Sequence, residues 1–257
     1  MAAGNPAGRL HIVFSKLGTR SEKLKLADVL QSLSTPAPAE DEEGRSLSEP
    51  DLMRVYGSLL GLPAETLELI DRLPEDTEDL EHLREPVVDI EKALRACGLN
   101  STAKAYGQRM QPDTVSGLRH VQAALNRNGY RETQVPKDKL AELHHHVSEL
   151  FEDVRTSAID DELRRFMLRH LDNIERGIRH YQVEGVPPLQ DAIDLFIGDL
   201  ARDAGEDDRR GVRRFLADDG LGRRLLRLIG EVNGVIEFAK LGTALGTALG
   251  LELSSGL

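Results

Sequence analysis

One stretch decides the fold class, because its apolar residues recur at helical spacing over about five turns. It reads 136-PKDKLAELHHHVSELFEDV-154. Intervals of three, four, three and four residues separate its seam positions, which are Leu140, Leu143, Val147, Leu150 and Val154. This spacing lines them up on one side of an α-helix, as in the seam of a coiled coil. The stretch therefore predicts an amphipathic helix that packs its leucine side against neighbours.

Two further helices are predicted directly after this one. The second has Asp160 to Glu162 at its start, where negative charge favours a helix, and Gly185 at its end. Its apolar positions are Leu163, Phe166, Met167, Leu171, Ile174, Ile178 and Tyr181. The third begins at Pro187 and repeats Leu189, Ile193, Phe196 and Leu200. Because short connections join long amphipathic helices as antiparallel neighbours, residues 136–203 predict an antiparallel three-helix core.

The N-terminal half also has helical patterns. Ser48 is a predicted N-cap for a helix that ends at Gly61, and Pro63 is predicted to open the next helix. The apolar run Leu10 to Phe14 is compatible with a short strand, although no partner strands are evident. The prediction is an all-α fold, a multi-helix bundle whose central core is antiparallel.

The expected domain organisation has four parts. Residues 1–34 form an N-terminal arm, and residues 35–48 form a flexible, disordered linker rich in acids and proline. Residues 49–128 form a small helical subdomain, and residues 136–257 form the helical core with a C-terminal helix striped by glycine and leucine. The linker prediction follows from composition, since proline, alanine and acids bury too little apolar surface to offset the entropy of ordering.

The charge of the chain argues against nucleic-acid binding. The formal net charge is −11, and residues 35–83 contribute fourteen acidic residues against three arginines. A protein that binds a duplex needs a basic footprint, and this chain has no such region at the scale of a domain. The lone Cys97 excludes an intrachain disulfide. With no secretory signal or long apolar span in view, the expected location is the cytoplasm.

The histidine run His144-His145-His146 is the one pattern that suggests a metal. Glu142, His145 and Glu149 have the helical spacing seen in carboxylate-bridged metal bundles, which require similar ligands from facing helices. However, three consecutive histidines point about 100° apart, so they cannot share one ion. These three residues are therefore weak metal candidates, and a structural or solvated role is favoured. No cofactor is expected.

The C-terminal part supplies the predicted interaction residues. If residues 228–251 are helical, glycines and leucines form adjacent stripes, at Gly242, Gly246 and Gly250 and at Leu245 and Leu249. Interior glycine costs a helix about 1 kcal/mol relative to alanine, and close approach of another helix is the usual compensation. An arginine cluster lies upstream and includes Arg209, Arg210, Arg213 and Arg214. Interleaved acids offset much of its charge, which favours a solvated or protein-facing role.

Recognised catalytic motifs are missing, including phosphate loops, nucleophile elbows and zinc signatures. The main hypothesis is a non-catalytic helical protein that binds a protein partner or itself, with regulation as one option. A second hypothesis is an effector whose Leu241–Leu251 segment engages membranes when triggered. A third is a metal-dependent helical-bundle enzyme. Nucleic acid is not an expected partner, and a membrane is one only through the C-terminal segment.

Overall fold

The computed structural model describes residues 5–18, 21–34, 47–74, 77, 79–128, 130, 137–204, 211–217 and 220–236. In these ranges the chain is all-α, as predicted. The described residues form no sheet, and their β-type pairing is limited to an isolated bridge between Lys25 and Thr102. The helices are α1 (Pro6–Gly18), α2 (Leu26–Ser34), α3 (Glu49–Asp71), α4 (Leu80–Ala96), α5 (Ala103–Gly107), α6 (Thr114–Arg127), α7 (Lys137–Thr156), α8 (Asp161–Glu184), α9 (Pro187–Asp203), α10 (Val212–Ala217) and α11 (Leu221–Ile236).

The chain divides into two compact units. Unit 1 comprises Met1–Gln134 with His180–Gly185, and unit 2 comprises Val135–Arg179 with Val186–Leu257. The sequence boundary at 134/135 falls between the predicted subdomain, which ends at 128, and the predicted core, which begins at 136. The last turn of α8 belongs to unit 1, which the sequence pattern did not anticipate.

The N-terminal segment is the centre of unit 1, which corrects the expectation of an arm over residues 1–34. Helix α1 packs against α2, α3, α5 and α6. Leu10, Val13, Phe14 and Leu17 are buried, and Phe14 contacts the Tyr106 ring edge to face at 5.8 Å between centroids. Their spacing of three, one and three residues is helical, so the run at 10–14 belongs to α1 and not to a strand. Residues 35–46, most of the expected linker, lie outside the described residues.

A buried asparagine fixes the start of α1. Asn5 is fully buried, and its side-chain oxygen accepts a hydrogen bond from the Gly8 amide at 3.0 Å. Its amide nitrogen donates to the Gln122 carbonyl and to the Asn126 side chain on α6, each at 3.1 Å. One side chain thus caps α1 and joins it to α6.

Helix α3 is a single helix of 23 residues, which corrects the expected break between Gly61 and Pro63. Ser48 caps it as predicted, accepting a hydrogen bond from the Asp51 amide. Pro63 lies inside the helix and is buried. An interior proline removes one backbone hydrogen bond and costs about 3 kcal/mol, so packing of its ring in unit 1 has to compensate for this loss. The chain continues as a helix because its inner side remains apolar through Ile70.

In unit 2 the apolar seams predicted from the sequence are buried. Every seam position of α7 is at most 6% exposed, and the predicted apolar positions of α8 and α9 are buried as well. Helices α8 and α9 run antiparallel, because Phe166 contacts Phe196 while Gly177 lies against Leu189. A β-carbon on Gly177 would lie 2.9 Å from the Leu189 Cα atom, so glycine is required where these two helices meet. Helix α7 packs against α11.

Replacing Asn5 with alanine tests whether α1 is part of the core. We expect Asn5→Ala to lower the free energy of unfolding by about 2 kcal/mol, because the helix loses its cap and α6 loses two hydrogen bonds. Urea unfolding followed by circular dichroism measures the change. Asn100→Ala, at an exposed position, is the control and should change stability by less than about 0.5 kcal/mol. Equal stability of the Asn5 variant and the native chain would mean that the N-terminal segment is a detachable arm.

Candidate interaction surface

Helix α3 has apolar residues on two opposite sides, and only one side is covered by unit 1. The inner side packs on α1 and α4 and is buried at Val55, Leu59, Leu62, Thr66 and Ile70. The outer side is exposed and carries no charge over four turns. We call this side the α3 outer face; its members are Pro50, Met53, Gly57, Leu60, Gly61 and Ala64.

Two long side chains dominate the α3 outer face. Met53 is 52% exposed and Leu60 is 42% exposed, and they lie seven residues apart on the same side of the helix. Gly57, which lies between them, and Gly61, which follows Leu60, leave open space, since a β-carbon at either position would meet no atom within 4 Å. Acidic residues flank the face at both ends, with Glu49 in the first turn of α3 and Glu65 and Glu68 after Ala64. An uncharged, apolar strip about 20 Å long is thus presented on a rigid helix.

A polar network on the flank of α3 fixes the helix in place. The buried Arg9 guanidinium donates to the Glu184 backbone carbonyl at 2.7 Å and to the Glu65 carboxylate at 3.2 Å. Ser58 donates to the Glu184 carboxylate at 2.8 Å. Burial would raise the pKa of Glu184, but hydrogen bonding from His180 and Ser58 outweighs burial and lowers it. Helix α3 is therefore joined to the last turn of α8 through the ionised Glu184 carboxylate, and α1 is joined to both through the Arg9 guanidinium.

This network does not have the order of a hydrolytic triad. In such a triad the imidazole lies between the hydroxyl and the carboxylate and takes the proton of the nucleophile. Here Ser58 bonds to Glu184 directly, and the His180 Nδ1 atom lies 3.7 Å from the other oxygen of the same carboxylate. The described arrangement therefore lacks the hydroxyl–imidazole–carboxylate order of a triad, and its hydrogen bonds join helices.

The histidine run points in three directions, as the helical geometry predicts. His144 lies 3.4 Å from Glu175 on α8, and His146 lies 2.8 Å from Glu231 on α11. His145 is exposed and lies 3.5 Å from Glu149 on its own helix. Hydrogen bonding from His144 is the main cause of the lowered pKa of Glu175. Two of the histidines therefore join α7 to different neighbours within unit 2.

The weak metal candidates Glu142, His145 and Glu149 are not brought together as a ligand set. Glu142 accepts a hydrogen bond from Lys139 at 2.8 Å, and that bond lowers its pKa. His145 and Glu149 form an exposed pair with no third ligand beside them. Throughout the described ranges, histidine, cysteine and acidic side chains nowhere gather in a group of three that could hold a metal ion.

A small cleft between α7 and α11 contains charged side chains that largely pair with one another. Its volume is about 160 Å³, and it is lined by His146, Glu149, Leu150, Arg224, Arg227, Leu228 and Glu231. His146 pairs with Glu231, and Arg224 pairs with both Asp153 and Glu149. The small volume and the mixed charges leave no strong field for an anionic or a cationic ligand.

A larger groove in unit 1 is open and polar. It lies between α4 and α6, has a volume of about 680 Å³, and has Pro86 and Gly117 at its floor, where a β-carbon on Gly117 would lie 3.0 Å from the proline ring. Asp89 accepts hydrogen bonds from Thr114 at 3.0 Å and from the Gln111 amide at 3.4 Å. Ligand pockets are mostly apolar and enclosed, and this groove is neither.

Most of the predicted interaction residues lie outside the described residues. This applies to Gly242, Leu245, Gly246, Leu249 and Gly250, and to Arg209 and Arg210. Arg213 and Arg214 lie on α10 and are exposed, and the Arg213 guanidinium donates to the Ala204 carbonyl. Of these four arginines, the structure thus describes Arg213 and Arg214. No helix in the described ranges is both long and apolar enough to cross a bilayer.

His170 is a buried titratable group beside the apolar side of α8. It is 0% exposed and stacks on the Phe196 ring at 4.6 Å between centroids, while Phe166 meets its edge at 4.7 Å. Its Nε2 atom lies 3.2 Å from the Asp199 carboxylate. Burial, followed by the neighbouring Arg169 charge, lowers the pKa of His170 despite this carboxylate. The ring therefore acts as an aromatic core residue with one polar contact.

Comparison with known proteins adds no assignment. A scan against protein-family models, a search of curated proteins and a search of solved structures each returned no match for this chain. The functional interpretation therefore rests on the described surfaces.

Sequence reasoning missed the α3 outer face because it ended the helix at Gly61. A signal was nevertheless present. Met53, Gly57 and Gly61 repeat every four residues, while Val55, Leu59 and Leu62 follow helical spacing about half a turn away. A helix with two apolar sides can bury only one of them in a small bundle, so the other must face solvent or a partner.

Protonation of His170 should make unit 2 less stable in acid. Because its pKa in the folded chain lies below the ordinary value of 6.5, the folded state binds fewer protons than the unfolded state as the pH falls below that value. The free energy of unfolding should therefore decrease between about pH 7.5 and pH 5.5. His170→Phe should reduce that decrease, and His82→Phe, at an exposed position, should not. Identical slopes for the native chain and the His170 variant in urea unfolding would contradict this account.

Proposed function

We propose that this chain is a non-catalytic helical protein that binds protein chains, its own included, through the α3 outer face. The observation that carries the proposal is the exposure of Met53 and Leu60 on one uncharged side of a well-anchored helix. Isolated exposed apolar residues are ordinary, but a contiguous strip on a rigid element is typical of protein-binding surfaces.

The polar groups of the chain support a binding role over a catalytic one. Buried and half-buried charged side chains in the described ranges pair with other side chains or with backbone, as at Arg9, Glu175 and Glu184. Catalysis requires a base, nucleophile or metal directed at open space in a cavity. The two clefts hold mutually paired or solvated groups and present no such arrangement.

The size of the face sets the expected strength of binding. Burying one half-exposed methionine and one half-exposed leucine contributes roughly 1 kcal/mol each on each side of an interface. Micromolar association requires about −8 kcal/mol after the loss of translational and rotational freedom, so these two side chains alone are not sufficient and the rest of the α3 outer face has to contribute as well. Such strength suits an assembly that responds to local concentration.

The two other hypotheses have less support. The metal-dependent enzyme has less support because Glu142 pairs with Lys139, and the exposed His145–Glu149 pair has no third ligand among the described residues. The membrane-engaging effector depends on Leu241–Leu251, which lies outside the described residues. Liposome flotation of the chain with and without residues 241–257 remains its direct test.

Leu60→Glu should abolish self-association without unfolding the chain, because it places a charge in the middle of an exposed apolar strip. Sedimentation equilibrium from about 2 to 200 μM measures the mass. The native chain should rise above the monomer mass over this range, and the variant should remain monomeric. Leu195→Glu is a matched control, since Leu195 is 52% exposed but lies among acids on α9. A monomeric native chain throughout, or equal association of the Leu60 variant, would rule out the face as a self-binding surface.

A further inference from the structure

We infer that His11, Arg119 and Ser15 form a pH-sensitive switch between α1 and α6, in which protonation of His11 exchanges its contact with Arg119 for one with Ser15. The switch concerns the packing of unit 1 and is independent of the α3 outer face. It is carried by the two hydrogen bonds that meet at one ring nitrogen of His11.

The switch lies on a polar seam along which α1 and α6 run antiparallel. Three contacts define this seam, Asn5 with Asn126, Gly8 beside Gln122, and His11 with Arg119. Positions rise along α1 as they fall along α6, which gives the two helices opposite directions. Asparagine, glutamine and glycine side chains do not titrate, so the contact between His11 and Arg119 is the one in this seam that pH can change.

The chemistry of arginine determines the protonation state of His11 when it contacts α6. The Arg119 Nε atom lies 2.8 Å from the His11 Nε2 atom. A guanidinium group only donates hydrogen bonds, so the His11 Nε2 atom has to accept. The neutral imidazole therefore carries its proton on Nδ1. The hydrogen bond between α1 and α6 exists only while His11 is neutral.

Protonation of His11 removes the acceptor and brings two positive groups together. An imidazolium donates from both ring nitrogens, so Nε2–H would point at the Arg119 Nε–H group. Ser15, one turn further along α1, provides the other partner, since its hydroxyl oxygen lies 3.0 Å from the same Nε2 atom. A hydroxyl can accept as well as donate, so Ser15 binds the ring in either state. Protonation thus keeps the contact within α1 and breaks the contact with α6.

The charge that opposes protonation comes from α6. Helices α2, α3, α5 and α6 all pack against α1. Partial burial, followed by the Arg119 charge, lowers the pKa of His11 from its ordinary value of 6.5. Among the described titratable groups on these four helices, Arg119 is the one whose charge adds to the effect of burial. The contact between His11 and Arg119 is therefore formed at neutral pH and breaks at a pH below 6.5.

Nuclear magnetic resonance of ¹⁵N-labelled histidine rings tests the position of the proton in the folded chain. At about pH 8, His11 should be the Nδ1–H tautomer, and its titration midpoint should lie below 6.5. Arg119→Met should raise this midpoint toward 6.5, because a repelling charge is removed. Arg109→Met is the matched control and should leave it unchanged, since Arg109 is also exposed in unit 1 but lies outside α6. An Nε2–H tautomer at this pH, or equal midpoints in the Arg119 variant and the native chain, would overturn the switch.

The role of Ser15 has its own readout in the same spectra. Ser15→Ala should lower the His11 midpoint below that of the native chain, because the imidazolium loses its acceptor and a hydrogen bond to a charged group is stronger than one to a neutral group. A midpoint that is unchanged or higher in the Ser15 variant would overturn the exchange of partners.

A double-mutant cycle at two pH values tests whether the switch changes the contact between the helices. The native chain is compared with His11→Ala, Arg119→Ala and the variant that carries both, by urea unfolding at about pH 8 and about pH 4.5. At the higher pH, coupling between the two side chains should raise the equilibrium constant for folding about threefold to fivefold. At the lower pH this favourable coupling should be lost. All four chains contain His170 and the other titrating groups, so their contributions cancel. Equal coupling at both pH values would overturn the pH sensitivity, and coupling at neither would overturn the contact itself.

Discussion

The packing of α1 between α3 and α6 is the constraint on which the rest of unit 1 depends. Asn5 ties the start of α1 to α6, and Arg9 one turn later reaches the Glu65 carboxylate on α3. Phe14 then closes the core against Tyr106, whose hydroxyl pKa is raised by burial. Because the inner side of α3 is held on α1 and α4, the rotation of α3 about its own axis is fixed. The side that carries Met53 and Leu60 therefore faces away from the core of unit 1.

In unit 2, histidine side chains hold neighbouring helices together, as Asn5 and Arg9 do in unit 1. His144 and His146 each meet a carboxylate on another helix, and His170 is held between two phenylalanine rings. In each case the imidazole contacts a side chain on another helix, and His146 also lines the small cleft between α7 and α11. The run His144–His146, which looks like a metal motif in the sequence, thus forms two separate interhelical contacts and one contact within α7.

Periodicity alone was sufficient to predict much of the fold. The seams of α7, α8 and α9 are buried at the positions expected, because a 3.6-residue repeat directly specifies which side of a helix is apolar. Long-range packing was not accessible in the same way. The local sequence of residues 6–18 does not indicate that they form the centre of unit 1. Pro63 resembles a helix start in the sequence, because the packing that buries its ring inside α3 comes from residues distant in the chain.

The candidate site was missed for a related reason. The sequence pattern favours the glycine and leucine stripes of residues 242–250 as the interaction surface. Met53, Gly57 and Gly61 have the same four-residue spacing. Exposure distinguishes an interaction surface from a core stripe, and exposure depends on which helices cover a face. In α3 the structure supplies that information, because it shows which side of the helix the neighbouring helices cover and which side stays exposed.

The central claim is that Met53 and its neighbours on α3 become covered when two copies meet. Nuclear magnetic resonance of protein labelled with methyl-¹³C methionine, recorded from about 5 to 300 μM, tests it most directly. The Met53 methyl signal should shift with concentration along a binding curve, while that of Met167, which is fully buried in unit 2, should not move. A Met53 signal that is constant over the whole range would contradict the account.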